Sequence, residues 1–182
     1  DSVWDYTLIQ RGLLDIINAA KHLDEESKLT FLISMPIFAE KASIDKFHAL
    51  LDHHKVRKHF TLTSEIRNLP LVLSAIDAYL YPINMDEPSW APVSALEALS
   101  QGTPVITTRI KIIEAFLKED DALFYEPEHP KELAKTVQFL LENKNEVKKR
   151  TAEAKKRVNK RFGCESVVKI VRDQLQHFNK EV

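Results

Sequence analysis

The chain has 182 residues, and its 26 lysines and arginines nearly balance 27 aspartates and glutamates, giving a formal net charge of −1. This length suits one domain with a sizeable core, and the charge balance excludes the global basic field that nucleic acid or an anionic membrane would attract. The single cysteine, Cys164, excludes an intrachain disulfide framework and favours a reducing compartment. With only three glycines, the chain contains neither a G-x-G-x-x-G dinucleotide loop nor a P-loop.

The sequence carries no sign of membrane insertion or secretion. No apolar run approaches the roughly 20 residues of a membrane-spanning helix, and the first residues lack the basic and apolar parts of a signal peptide. We therefore expect no transmembrane segment and a cytoplasmic location, either free or peripheral at the inner membrane surface. The abrupt start without methionine suggests a fragment of a longer protein.

Short strands alternate with amphipathic helices along the chain. Helices are predicted at about 13–23, 39–54, 69–76, 92–101, 113–118, 130–142, 145–161 and 166–179, and strands at 29–34, 60–63, 78–83, 104–107 and 122–125. Such alternation predicts an α/β fold, with a Rossmann-like parallel sheet flanked by helices and joined by right-handed crossovers. We expect a single domain over residues 1–182, with a helical C-terminal tail at about 144–182.

The most informative stretch, residues 86–108, is typical of an acidic loop followed by a short helix and a buried strand. Pro92 suits the first helical position, and Gly102 suits the residue just past the helix end. Because the first backbone N–H groups of a helix have no partner within it, a helix start at Val93 and Ser94 can hold a phosphate. Glu97 lies one turn further along the same face, where its carboxylate can accept hydrogen bonds from hydroxyl groups. A site that holds a phosphate next to hydroxyl groups suits the ribose and phosphate of a nucleotide.

A set of short motifs accompanies this stretch: Gln10-Arg-Gly12, Ala75-Ile-Asp-Ala78, Tyr81-Pro82, Leu96-Glu-Ala-Leu-Ser-Gln-Gly-Thr-Pro-Val-Ile106, Glu114, Glu126-Pro127, Pro130-Lys-Glu-Leu-Ala134 and Arg161-Phe162. Their order resembles the C-terminal half of retaining GT-B glycosyltransferases of family four, the glycosyl transferases group 1. The resemblance implies a domain that binds a UDP-, GDP- or ADP-sugar for transfer of a hexose to an acceptor, without a metal ion. It also implies that a missing N-terminal domain supplies the acceptor site and much of the catalytic machinery, so the isolated fragment should be inactive.

The resemblance assigns roles to individual residues. Glu97 matches the family's second signature glutamate, which hydrogen-bonds the ribose, and Arg11 matches the cation that pairs with the donor diphosphate. Ser89 stands eight residues before Glu97, where the family has its first glutamate, so that residue is either lost or replaced by Glu87 as the catalytic candidate. The acceptor, the sugar and the nucleotide base are not specified.

Two further departures from the family lie near this helix. Pro92, which has no N–H, replaces the glycine before the helix. Ile110-Lys-Ile-Ile-Glu114 replaces the family's Gly-Gly-x-Pro-Glu segment. Lys111 thus stands where a glycine is expected, and its ammonium can substitute for lost backbone donors toward the diphosphate, while Glu114 keeps a role at the sugar. These departures leave open an alternative of a different class, a non-catalytic Rossmann-like binding module with a degenerate donor site.

Each assigned residue also has an ordinary structural interpretation. Glu97 and Lys111 are compatible with solvated side chains, Arg11 with a solvated residue at a helix start, and Glu114 with an acid that complements a helix dipole. The charged run at 144–160 is interpreted as a solvated helix face.

Three histidines and one tryptophan invite functional interpretations that we do not favour. His53, His54 and His59 have no cysteine or acidic partner at ligand spacing, so we expect surface histidines and no metal site. For Trp90 we expect burial against its loop rather than stacking on a sugar or base.

Overall fold

The computed structural model describes residues 9–24, 28–34, 41–63, 65–85 and 91–178. Its elements, in chain order, are α1 (Leu13–Ala20), β1 (Phe31–Ser34), α2 (Lys41–His53), β2 (Phe60–Thr63), α3 (Leu69–Ala75), β3 (Tyr79–Tyr81), α4 (Val93–Gln101), β4 (Val105–Thr108), α5 (Lys111–Phe116), β5 (Leu123–Tyr125), α6 (Pro130–Glu142), α7 (Lys144–Phe162) and α8 (Cys164–Phe178).

All strand pairs within the described ranges are parallel. β1 pairs with β2, and β3, β4 and β5 form a three-stranded sheet in that order. Helices lie between successive strands, as parallel pairing requires. The predicted α/β class, with parallel strands flanked by helices and a C-terminal helix, is confirmed.

β1 and β3 lie on either side of an apolar cavity of about 490 Å³. Its lining includes Phe31 and Ile33 of β1 and Tyr79 and Leu80 of β3. Among the described residues, the pair β1–β2 and the three-stranded sheet of β3, β4 and β5 are therefore two separate sheets.

Two apolar clusters form the core. The first joins α1 and α6 to the strands through Ile17, Tyr125 and Leu133, none of which is exposed. The second joins α4, α5 and α7, and its members include Leu99 and Ile113. All four residues of β4 are buried, because this central strand is covered on both faces.

The predicted helix ends shift by a few residues where local hydrogen bonds decide them. α1 ends at Ala20 rather than near residue 23, because the N–H groups of Lys21 and His22 bond to carbonyls three residues back. α4 ends as predicted, with Gly102 at φ 89° in the left-handed region.

The prediction that His59 is a surface histidine is wrong. His59 is 3% exposed and ends a short 3₁₀ turn, Arg57–His59, directly before β2. Its Nδ1 lies 3.3 Å from the carbonyl oxygen of Leu29, so the turn places the ring against the residues that precede β1.

α7 packs on α4 and passes the amino ends of β4 and β5. Arg150 donates to the carbonyl of Ala122 at 2.6 Å, and Arg157 donates to the carboxylate of Asp121 at 2.7 Å. The charged face of α7 is thus tied to the end of the sheet opposite the carboxyl ends of its strands. Among the described helices, none has the length and apolar character needed to cross a membrane.

Candidate functional site

The carboxyl ends of β3, β4 and β5 meet at one side of the sheet, which we call the carboxyl edge. It comprises the described segments that follow these strands, residues 82–85, 109–110 and 126–129. α4 and α5 begin on this side because each connects two parallel strands. Open α/β sheets usually bind ligands at such an edge.

Gly12 brings the start of α1 against the segment that follows β3. Its φ of 68° is left-handed, and a side-chain carbon there would overlap the carbonyl oxygen of Pro82. The N–H of Asn84 donates to the carbonyl of Gln10 at 2.9 Å. Arg11, which is exposed, therefore lies beside the carboxyl edge, as a diphosphate partner would require.

The start of α4 is accessible and has no side-chain cap. Val93 is 57% exposed, Ser94 is half-buried and Glu97 is exposed one turn further along. The N–H of Val93 bonds to the carbonyl of Ala91 at 2.8 Å. The next N–H groups, from Ser94 onward, belong to the first helical turn, whose donors lack partners within a helix.

The residues that follow β4 are held by an arginine surrounded by carboxylates. Arg109 donates to the carboxylate of Glu119, its Nε lies 3.1 Å from Glu126, and its Nη1 lies 3.7 Å from Glu114. The hydrogen bond to Glu119 raises the pKa of Arg109 and lowers that of Glu119. Glu114, assigned to the sugar by resemblance, thus faces Arg109, whereas Lys111 is exposed as the first residue of α5.

Two threonines of β4 hold the end of β3 and the segment that follows it. The hydroxyl of Thr107 donates to the carbonyl of Tyr81 at 2.8 Å, and that of Thr108 donates to the carbonyl of Ile83. Both threonines are fully buried. Their bonds lock adjacent strand ends together at the carboxyl edge.

Sequence reasoning missed a buried carboxylate, Asp15, in the first turn of α1. It is 5% exposed, and its Oδ2 accepts hydrogen bonds from the Asn84 side chain at 3.3 Å, the Tyr125 hydroxyl at 3.2 Å and the Glu128 N–H at 3.1 Å. Burial raises the pKa of Asp15, although these three hydrogen bonds act to lower it. Burial also raises the pKa of Tyr125 above its usual value. The available signal was an acid on the apolar face of a helix, between Leu13 and Ile16.

Three residues named from the sequence, Glu87, Ser89 and Trp90, lie outside the described residues. Within the described ranges, no three histidine, cysteine, aspartate or glutamate side chains lie close enough together to hold a metal ion.

The carboxyl edge of a parallel sheet, with an exposed arginine and an uncapped helix start beside it, is the usual ligand-binding side of an open α/β protein. The sequence model described as "Glycosyl transferases group 1" matches residues 8–157 of this chain. The chain belongs to this family.

Solved structures of low sequence identity share the fold. Anabaena HepE in complex with UDP-glucose is 16% identical with a TM-score of 0.79, and the match covers 92% of this chain and 46% of that one. Sucrose-phosphate synthase from Thermosynechococcus elongatus is 18% identical with a TM-score of 0.80, covering 95% of this chain and 43% of that one. For a glycosyltransferase from Rickettsia africae ESF-5 the identity is 16%, the TM-score 0.74, and the coverage 94% and 44%.

The chain spans less than half the length of these structures. A comparison of the sequence with curated proteins finds no significant match.

Proposed function

We propose that this chain is the donor-binding part of a retaining glycosyltransferase, which binds a nucleoside-diphosphate sugar and serves transfer of a hexose to an acceptor. The observation that carries the proposal is the carboxyl edge, where Arg11 and the starts of α4 and α5 lie on the same side of a parallel sheet. Family membership supports the reaction class. HepE, whose fold is similar, has been solved with UDP, UDP-glucose and UDP plus glucose.

The proposal gives each residue one role. Arg11 pairs with the diphosphate, because a guanidinium makes charge-assisted bonds to phosphate oxygens. The helix start at Val93 and Ser94 holds a phosphate oxygen through the N–H groups from Ser94 onward, because the N–H of Val93 already bonds to the carbonyl of Ala91. The carboxylate of Glu97 accepts hydrogen bonds from the ribose hydroxyls. Lys111 adds a mobile positive charge toward the diphosphate.

The sugar end of the donor is assigned to two glutamates. Glu114 lies in the first turn of α5, beside the carboxyl edge, and its carboxylate faces Arg109. Glu87 is the catalytic candidate. We propose that a second domain supplies the acceptor site, that donor binding needs no metal ion, and that the protein acts in the cytoplasm or at the inner face of a membrane.

Calorimetric titration with UDP, GDP and ADP tests donor binding directly. We expect at least one diphosphate to bind with micromolar to millimolar affinity, its monophosphate to bind more weakly, and EDTA to change neither. If no diphosphate gives heat or a shift in melting temperature at millimolar concentration, the donor-site proposal is wrong.

A matched pair of variants tests the ribose contact. Glu97→Gln should weaken every nucleotide ligand by about 1–3 kcal/mol, because it removes a charged acceptor. Glu146→Gln changes an exposed glutamate in the first turn of α7 and should leave affinity unchanged. Equal effects from the two substitutions would contradict the role of Glu97.

A second candidate function is a non-catalytic binding module that has kept the fold. The contact between Glu114 and Arg109 favours it, because an ion pair occupies a carboxylate that the donor sugar would otherwise use. This alternative predicts no diphosphate binding by the wild-type chain, so the same titration separates the two.

A further inference from the structure

Asp15 is a buried ionisable group to which the proposed donor contacts assign no role. It is 5% exposed, and its Oδ2 accepts hydrogen bonds from three neutral groups: an amide, a phenol and a backbone N–H. A carboxylate inside an apolar core costs free energy unless its hydrogen bonds are satisfied, so its placement needs a physical reason.

The three donors come from two stretches of the chain that are distant from each other in sequence. Asn84 follows β3, Tyr125 is the last residue of β5, and Glu128 lies in the turn between β5 and α6. Asp15 itself belongs to α1, three residues after Gly12. One carboxylate oxygen thus joins the start of α1 to both outer strands of the three-stranded sheet, at their carboxyl ends.

These bonds lead directly to the residue proposed to hold the diphosphate. The side-chain amide of Asn84 donates both to Asp15 and, at 3.2 Å, to the carbonyl of Ile9, while its backbone N–H donates to the carbonyl of Gln10. The N–H of Gly12 closes the same turn on the carbonyl of Ile9 at 3.1 Å. Asn84 thus joins Asp15 to both residues that precede Arg11 in this turn.

The third bond holds a backbone that is otherwise unfavourable. Glu128 has a φ of 61°, a left-handed conformation that costs energy for any residue with a side chain. Its N–H bond to Asp15 helps keep this turn in place. Two residues earlier, Glu126 contacts Arg109, so the turn also borders the residues that follow β4.

We propose that Asp15 is a positioning residue for the nucleotide-sugar donor, because it ties together the turn that carries Arg11 and the segments that follow β3 and β5. The inference rests on the proposed function of the carboxyl edge. It adds that affinity for a diphosphate depends on a side chain that is itself buried away from the ligand.

Asp15→Asn tests this proposal, since it keeps the shape of the side chain but replaces the carboxyl group that accepts three bonds with an amide. The matched control is Thr103→Val, at the amino end of β4. Thr103 is 3% exposed, and its hydroxyl donates a buried hydrogen bond to the carbonyl of Leu73 at 2.6 Å. Both substitutions disturb one buried polar group, but only one lies at the carboxyl edge.

Hydrogen–deuterium exchange of the ligand-free protein tests the positioning. Asp15→Asn should speed exchange in residues 9–15, 82–85 and 126–129, whereas Thr103→Val should leave these segments unchanged. Calorimetric titration with the best-binding diphosphate of the UDP, GDP and ADP panel tests the consequence. We expect about a tenfold loss of affinity for Asp15→Asn and less than about a twofold loss for Thr103→Val.

Tyr125→Phe provides a milder test if Asp15→Asn does not fold, because it removes one of the three donors and keeps the ring. It should lower affinity about threefold and speed exchange in residues 9–15. If the wild-type protein binds a diphosphate and the folded Asp15→Asn or Tyr125→Phe variant binds it with the same affinity, the inference is wrong and the proposed function stands. Absence of binding by the wild-type protein would overturn both, and is recognised without any variant.

Discussion

At the scale of single residues, two positions decide how the carboxyl edge is assembled. Gly12 permits a left-handed turn in contact with Pro82, and Asp15 accepts hydrogen bonds from the segment after β3 and from the end of β5 with its following turn. The sequence predicts Gly102 at a helix end, because glycine follows an amphipathic run. It does not predict the burial of Asp15, because the partners of this carboxylate are 69 to 113 residues away along the chain.

Substitution of Gly12 by alanine should destabilise the protein more than the same change at Gly102. Both residues are left-handed, so each alanine costs about 1–2 kcal/mol of backbone energy. At Gly102 the nearest atom to a new side-chain carbon is Lys155 Cδ at 3.7 Å, whereas at Gly12 it is the backbone of Pro82. We expect urea unfolding to show that Gly12→Ala lowers the free energy of unfolding by about 1–3 kcal/mol more than Gly102→Ala does. Equal losses would show that the contact with Pro82 relaxes freely.

The ionisation of Asp15 should give stability a specific pH dependence. Burial raises its pKa, so the folded chain binds more protons than the unfolded chain from about pH 4, the ordinary aspartate value, up to the folded pKa. The free energy of unfolding should therefore fall as the pH rises through this interval, and Asp15→Asn should remove that fall. The groups that face Asp15 are Asn84, Tyr125 and Glu128, and the charge of Glu128 acts in the same direction as burial.

Urea unfolding of both proteins between about pH 4 and about pH 7 measures this difference. If the wild-type protein instead becomes more stable relative to Asp15→Asn as the pH rises, the hydrogen bonds outweigh burial and the pKa of Asp15 is lowered in the folded chain.

At the scale of elements, α5 is short and is held at its end by another helix. Arg161 of α7 donates to the carbonyls of Ala115 and Phe116, both at 3.1 Å. These are among the last carbonyls of α5, which have no partner within the helix. Periodicity predicts both helices, but it places the start of α5 about two residues late, because the helix begins at Lys111 directly after the exit from β4. Local patterns cannot reveal the contact between α5 and α7.

Arg161→Ala should destabilise the protein by about 1 kcal/mol, through the loss of two hydrogen bonds from a charged donor in a partly solvated position. Lys160→Ala is the control. It removes an exposed positive charge from the same last turn of α7, so both variants lose the same interaction with the helix dipole. Thermal unfolding of the two variants measures the difference. If Lys160→Ala costs as much, the dipole and not the contact with α5 accounts for the effect.

At the scale of the whole molecule, the formal charge of −1 leaves recognition of an anion to local groups. The alternation of strands and helices is sufficient to predict the parallel α/β class. It does not predict the cavity between β1 and β3, because strand order depends on pairing between distant segments. The charged face of α7, interpreted as solvated, is tied to the amino end of β5 by Arg150 and Arg157.

Reversal of two charges on α7 should therefore leave diphosphate affinity unchanged. Lys148 and Lys149 are exposed, and each lysine-to-glutamate change alters the charge by −2, which takes the net charge from −1 to −5. At physiological ionic strength such charges are screened beyond about 8 Å. Titration of the double variant with UDP should give an affinity within about twofold of wild type. A larger loss would place α7 closer to the ligand than the carboxyl edge allows.

The hydrogen bonds that end on Asp15 also imply an order of folding. Those from Tyr125 and Glu128 join residues 110 and 113 positions apart, whereas the bond from Thr107 to Tyr81 spans 26. Closing the loops of 110 and 113 residues costs about 1 kcal/mol more in entropic free energy than closing the loop of 26 residues. We therefore expect β3, β4 and β5 to assemble before α1 docks. The proposed diphosphate partner, Arg11, would then reach its final place only when the slowest contacts of the chain have formed.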